Sequence, residues 1–146
     1  MKQALIEAKK AYALKEVPVG CVIVSDGKII ARAYNMRHNK KCSIYHAEIL
    51  AIEKACKKLD RWILSGCTMY VTLEPCLMCS GAIVQSRIDK VVYGIPEDRF
   101  GCFHDALTYF EAKQNHYVEV SSMILDKDIS EMMSNFFKEI RDEKRK

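Results

Sequence analysis

Two short blocks, His46-Ala47-Glu48 and Pro75-Cys76-Leu77-Met78-Cys79, carry a set of soft-metal ligands, and any fold of this chain must bring them to one point. An imidazole and two thiolates are three ligands of a tetrahedral zinc, and three protein ligands leave the fourth position to water. That open position separates a catalytic ion from a structural one. Zinc lowers the pKa of coordinated water toward neutrality, so a nucleophile exists at pH 7, and a carboxylate beside it can ferry the displaced proton. The blocks therefore predict His46, Cys76 and Cys79 as metal ligands, Glu48 as catalytic acid/base, and hydrolysis as the chemistry. The alternative is a closed structural zinc with a fourth sulfur from Cys42, Cys67 or Cys102, which would make the chain a non-catalytic, zinc-stabilised RNA-binding domain.

The rest of the chain supplies a frame for that convergence. Ala4, Leu5, Ala8, Ala11 and Tyr12 recur at helical spacing and predict a first helix that ends before Pro18. The period then changes. Gly20 to Ser25 and Lys28 to Tyr34 are β-rich runs around Asp26-Gly27, the two-residue signal of a type I′ hairpin. Leu50, Ala51, Ile52, Ala55, Cys56 and Leu59 mark a helix that starts at His46. Thr68 to Leu73 predicts a third strand running into Glu74-Pro75, and proline suits the first turn of a helix reaching about Ser86.

Arg87 to Gly94 predicts a fourth strand and Tyr117 to Ser121 a fifth, with the segment between them unassigned. Ile129, Met132, Met133, Phe136, Phe137 and Ile140 line one face of a last helix before the basic end Lys144-Arg145-Lys146. This order predicts an α/β fold, a mixed five-stranded sheet with helices on both faces, in which ligands at two helix starts meet at one end of the sheet. Residues at i and i+2 do not share a helix face, so His46 and Glu48 can cooperate only at a helix end.

At 146 residues and 49% hydrophobic composition the chain predicts one domain, residues 1–146. No apolar stretch approaches the ~20 residues of a membrane span, and the N-terminal residues carry charge throughout. A cytoplasmic protein without membrane contact is expected, and its seven cysteines are expected to be reduced. A net charge of +4 favours a polyanion without demanding one.

Beyond the two blocks, Glu16-Val17-Pro18-Val19-Gly20, Asn35, Tyr70 to Cys76, Gly81-Ala82-Ile83, Ser86-Arg87-Ile88, Val118-Glu119-Val120 and Phe136-Phe137-Lys138 resemble the bacterial tRNA adenosine deaminases of the TadA type, a branch of the cytidine-deaminase-like superfamily. His-x-Glu with Pro-Cys-x-x-Cys is common to the zinc deaminases, so the flanks carry the choice of base. The resemblance implies a cytidine-deaminase-like three-layer fold, one Zn2+ per subunit, a homodimer, and conversion of the anticodon wobble adenosine of tRNA to inosine. It implies His46, Cys76 and Cys79 on zinc and Glu48 as proton shuttle. It further implies Asn35 against the flipped base and Asp105, Phe137, Lys138 and Arg141 as substrate contacts.

Two stretches depart from the family pattern. Cys42-Ser43-Ile44-Tyr45 precedes the ligand histidine, and Pro96 to His104 replaces a glycine- and alanine-rich loop. They favour the alternative of a free nucleobase or nucleoside, such as guanine, cytosine or adenosine, as substrate. Local readings also compete. Asn35 could cap a turn. Of Phe136 and Phe137, about 100° apart on a helix, one is expected to pack inside while the other serves RNA or the dimer. His104, in the divergent loop, is a residue to watch.

Overall fold

The computed structural model describes residues 1–99, 101 and 103–145. Phe100 of the divergent loop, Cys102 as an alternative fourth ligand, and Lys146 of the basic end lie outside the described residues. The elements follow in the order α1 (Lys2–Ala13), β1 (Gly20–Ser25), β2 (Lys28–Tyr34), α2 (Ala47–Leu59), β3 (Cys67–Leu73), α3 (Leu77–Gln85), β4 (Lys90–Ile95), α4 (Phe103–Gln114), β5 (Glu119–Ser121) and α5 (Asp126–Glu143).

The hairpin forms where its turn chemistry places it. Asp26 and Gly27 both take positive φ, 49° and 71°, as a type I′ turn requires, and Ser25 pairs with Lys28. The sheet runs β2-β1-β3-β4-β5, antiparallel through the first three strands and parallel from β3 onward. It is the mixed five-stranded sheet expected from the sequence.

Period-two alternation sorts the strands into two faces. Cys21, Val71 and Tyr93 form one cross-strand row and Ile23, Met69 and Val91 the next, all buried. They share a core with Ala47, Ala51 and Ala55 along α2 and with Ile83 and Val84 of α3. On the opposite face α1 lies directly on the sheet. A Cβ on Gly20 would run into the backbone of Ala4 and Ala8, so only glycine permits that approach. α5 covers the same face next to α1: Ile129 is fully buried, and the Tyr12 and Phe136 rings meet edge to face at 5.5 Å. Each such buried side chain contributes about 1.5–3 kcal/mol.

Three boundaries move from expectation. The unassigned stretch holds α4, whose Phe103, Ala106, Leu107 and Phe110 fall at helical spacing and face inward, Phe110 toward Gly81 on α3. The fourth strand begins at Lys90 rather than Arg87, because the end of α3 uses the residues between. Ser86 Oγ donates to Ala82 O, and Arg87 turns the chain at φ 60°. The fifth strand is a three-residue edge, Glu119–Ser121, with Tyr117 exposed before it. Among the described residues six cysteines are free thiols, and no helix is long and apolar enough to cross a membrane.

A candidate metal centre on the floor of a cleft

Two helices start side by side and each begins on a residue of the candidate ligand set. His46 is the N-cap of α2 and Cys76 the N-cap of α3, both with extended backbone (ψ 153° and 173°) and neither using its side chain to cap. The side chains are thus free while the carbonyls open the helices, His46 O accepting from Leu50 N and Cys76 O from Ser80 N. Pro75 precedes the cap, and Cys79 sits in the first turn of α3, fully buried. Helix starts carry partial positive charge that favours thiolates.

His46 Nδ1 lies 3.6 Å from Cys76 Sγ and 3.5 Å from Cys79 Sγ. With metal–sulfur bonds of ~2.3 Å and a metal–nitrogen bond of ~2.0 Å, the nitrogen–sulfur edge of a tetrahedron is about 3.5 Å. The donors therefore already stand at the spacing a tetrahedral ion requires, and all three lie within 4.8 Å of one another. Neither Cys42 nor Cys67 joins them; among the described residues the group has three members, not four. The two sulfurs pull each other's proton affinity in opposite directions. The hydrogen bond from Cys79 is the main influence drawing the Cys76 thiol down to about 4, and the same bond together with burial pushes Cys79 far up. A pair holding negative charge at neutral pH is a cation-binding pair.

Glu48, the second residue of α2, is 4% exposed. Burial pushes its carboxyl up to about 7, opposed by its own backbone N–H and by His46. Its position at the helix end satisfies the condition set by the i, i+2 spacing.

His46, Glu48 and Cys76 form the floor of a cleft of about 620 Å³, with Cys79 beside them. Val17, Val19 and Asn35 build one wall; Arg37, Arg99, Phe137 and Arg141 stand among the remaining lining residues. Met133, Ser134, Phe137 and Arg141 reach the cleft from one stripe of α5. Phe136 points the other way, 5% exposed between Tyr12 and Phe137, whereas Phe137 is 42% exposed.

The structure thus brings together His46, Glu48, Cys76, Cys79, Asn35, Phe137 and Arg141. It does not bring Asp105 or Lys138 into the lining; both are exposed, on α4 and α5. Lys138 follows Phe137 and is turned about 100° from it. Tyr45 is not a lining residue, and His104 instead meets the Tyr93 hydroxyl at 3.4 Å. Asn35 caps no turn with its side chain, which goes to Glu16.

Four charged lining residues stand outside the site set expected from the sequence: Arg37, Arg99, Glu97 and Glu74. The signal for Glu74 was its place at a strand end, where it serves the main chain. Its Oε2 accepts from Glu97 N at 3.0 Å and its Oε1 from Phe103 N at 3.1 Å, which ties down both ends of the divergent loop.

Comparison with known proteins places this geometry in context. Residues 1–141 match the family model of MafB19-like deaminases. The chain is similar to the tRNA-specific adenosine deaminase of Bacillus subtilis, 48% identical over 146 residues, covering 99% of this chain and 91% of that protein. It is similar to the tRNA-specific adenosine deaminase of Aquifex aeolicus, 44% identical over 97% of this chain and 93% of that one. Among solved structures it resembles one from work on A-to-I editing by tRNA:A34 deaminases at the wobble position of transfer RNA, with a TM-score of 0.84 and 37% identity, covering 90% of this chain and 96% of that chain.

Proposed function

The chain belongs to the MafB19-like deaminase family, and from that premise we propose that it hydrolyses the wobble adenosine of a tRNA anticodon loop to inosine. The observation that carries this reading is the cleft itself: a three-donor metal group and a buried carboxylate at its floor, and three arginines and an exposed phenylalanine around it. Arginines hold phosphates and an aromatic ring stacks on a splayed base, the means by which single-stranded RNA loops are bound. The near full-length likeness to tRNA-specific adenosine deaminases supports the same substrate.

His46 Nδ1 and the sulfurs of Cys76 and Cys79 would hold one Zn2+ per subunit; bound there, it supplies the Lewis acidity that makes water nucleophilic at neutral pH. Glu48 carries the protons. Its carboxyl, near neutral in affinity, accepts the proton from the attacking water and returns protons to the ring nitrogen and the departing amine. Water adds at C6, the carbon–nitrogen bond to the exocyclic amine breaks, ammonia leaves and inosine remains. Asn35 on the cleft wall meets the flipped nucleoside, while Phe137 and Arg141 seat the loop. Asp105 and Lys138 belong to this reading only as outer contacts. A homodimer in the cytoplasm, the whole chain acting as one deaminase domain, completes the proposal.

The test is ammonia release by the zinc-loaded protein from an anticodon stem-loop with wobble adenosine, and from adenine, adenosine, guanine, cytosine and cytidine. Turnover of the stem-loop alone is expected. Turnover of a free base or nucleoside instead replaces RNA with a small-molecule substrate, and silence across the panel overturns the enzymatic reading.

A further inference from the structure

Behind the cleft wall lies a carboxylate that the reaction above does not use. Glu16, between α1 and β1, is fully buried and does not line the cleft. Its Oε1 accepts from the backbone N–H of Asn39 at 2.7 Å and from Asn39 Nδ2 at 3.0 Å. Its Oε2 accepts from Asn35 Nδ2 at 3.2 Å. Burying a carboxylate is expensive unless hydrogen bonds replace its water, and three N–H donors do so here.

A carboxylate without a proton can only accept, so only the nitrogen end of the Asn35 amide can face Glu16. The backbone of Asn35 is fixed as well, its N–H donating to Val19 O at 3.0 Å. Among the described residues Asn35 Oδ1 takes no donor, and it is not a buried unpaired atom; Arg87 Nη1 is the one such atom found. Asn35 lines the cleft, so that unpaired oxygen is available to a donor bound there.

We propose that Glu16 is a positioning residue: it locks the Asn35 amide so that the cleft wall presents a fixed hydrogen-bond acceptor, which selects a nucleoside offering an N–H or O–H donor there. This rests on the reading of Asn35 as a substrate contact. The selectivity of that wall is then set by the pair. Asn35 alone could turn over and exchange its two ends; Glu16 holds the nitrogen by one of its two hydrogens and so fixes where Oδ1 lies. Asn39, held by the other oxygen and donating to Leu14 O at 3.1 Å, keeps the carboxylate from rotating.

An exchange of the two groups tests the pair. Glu16→Gln, Asn35→Asp, Asn35→Ala and the double variant Glu16→Gln/Asn35→Asp are assayed as zinc-loaded full chains on the stem-loop. Thermal unfolding of each is measured alongside. Glu16→Gln sets two N–H₂ groups against each other and should lower kcat/KM about tenfold, and Asn35→Asp opposes two carboxylates and should lower it about 100-fold. In the double variant the new amide donates to one oxygen of the new carboxylate and leaves the other to the cleft, so kcat/KM should recover at least about tenfold over Asn35→Asp.

A residue that merely stabilises the fold gives activities that follow the unfolding temperatures and no such recovery. A double variant no more active than Asn35→Asp overturns the proposal, as does Asn35→Ala with parental kcat/KM. The side-chain amide of Asn35, followed by ¹H–¹⁵N NMR in the protein without RNA, reports orientation directly. Its resonances should shift on Glu16→Gln. If the parent protein leaves the stem-loop unchanged, the functional reading falls, and these resonances alone judge Glu16: a shift supports the lock, and their constancy overturns it.

Discussion

The floor and the rim of the cleft are built on opposite plans. At the floor, His46, Glu48, Cys76 and Cys79 come from the first turns of two helices, half-buried or buried, with backbone hydrogen bonds that leave little freedom. At the rim, Arg37, Arg99, Phe137 and Arg141 come from a loop after β2, the divergent loop and a peripheral helix, and all four are exposed. A metal centre tolerates errors of a few tenths of an ångström, and the three donors that could hold one sit where the fold is stiffest. A flexible polyanion needs charge and stacking surface, which long exposed side chains supply without such accuracy.

Substitutions at the two levels should therefore fail in different ways. Cys79→Ala should abolish both turnover and stoichiometric zinc, read by elemental analysis; a variant retaining one zinc per chain would break the equation of floor with metal centre. Glu48→Gln should keep its zinc and its KM but lose about 10²- to 10⁴-fold in kcat; parental kcat would remove the proton carrier from the floor. Phe137→Ala and Arg141→Ala should leave kcat near the parent value and raise the KM for the stem-loop about tenfold. Arg141→Ala should also reduce the salt slope of RNA binding by about one. Equal falls in kcat would make the rim part of the chemistry. Lys138→Ala and Asp105→Ala, beyond the lining, should change kcat/KM by no more than about twofold, and larger losses would widen the rim past the cleft.

Legibility in the sequence followed the same division. Asp26-Gly27 announced its hairpin because two positive φ values admit few residues. The ligand blocks announced the floor because soft donors with that spacing have few other uses. α4 went unread, since Phe103, Ala106, Leu107 and Phe110 are too sparse among polar residues to declare a period before α3 is there to receive them. Glu16 was visible only as one letter of Glu16-Val17-Pro18-Val19-Gly20. Its partners Asn35 and Asn39 lie beyond a hairpin, and nothing local links them. Likewise Arg37 and Arg99 read as ordinary surface charge until folding turns them toward one volume.

The carboxylate of Glu74 holds the loop at Glu97 and again at Phe103, one residue upstream of Pro75 and two upstream of the first sulfur. Both anchor bonds are made to main-chain N–H groups, which every residue but proline possesses, yet the clasp sets one side-chain condition between them: a Cβ on Gly101 would run into Glu97 O and Glu74 Oε2, so only glycine passes there. The stretch from 97 to 103 is thereby a cassette with one fixed stitch at Gly101. Around that glycine and the buried Phe103 its sequence can change while the attachment points, and the ligand spacing just below them, stay where they are. A scaffold with such a seam can drift from one nucleic-acid or nucleobase clientele to another through its loop alone, carrying an unaltered chemical engine beneath it.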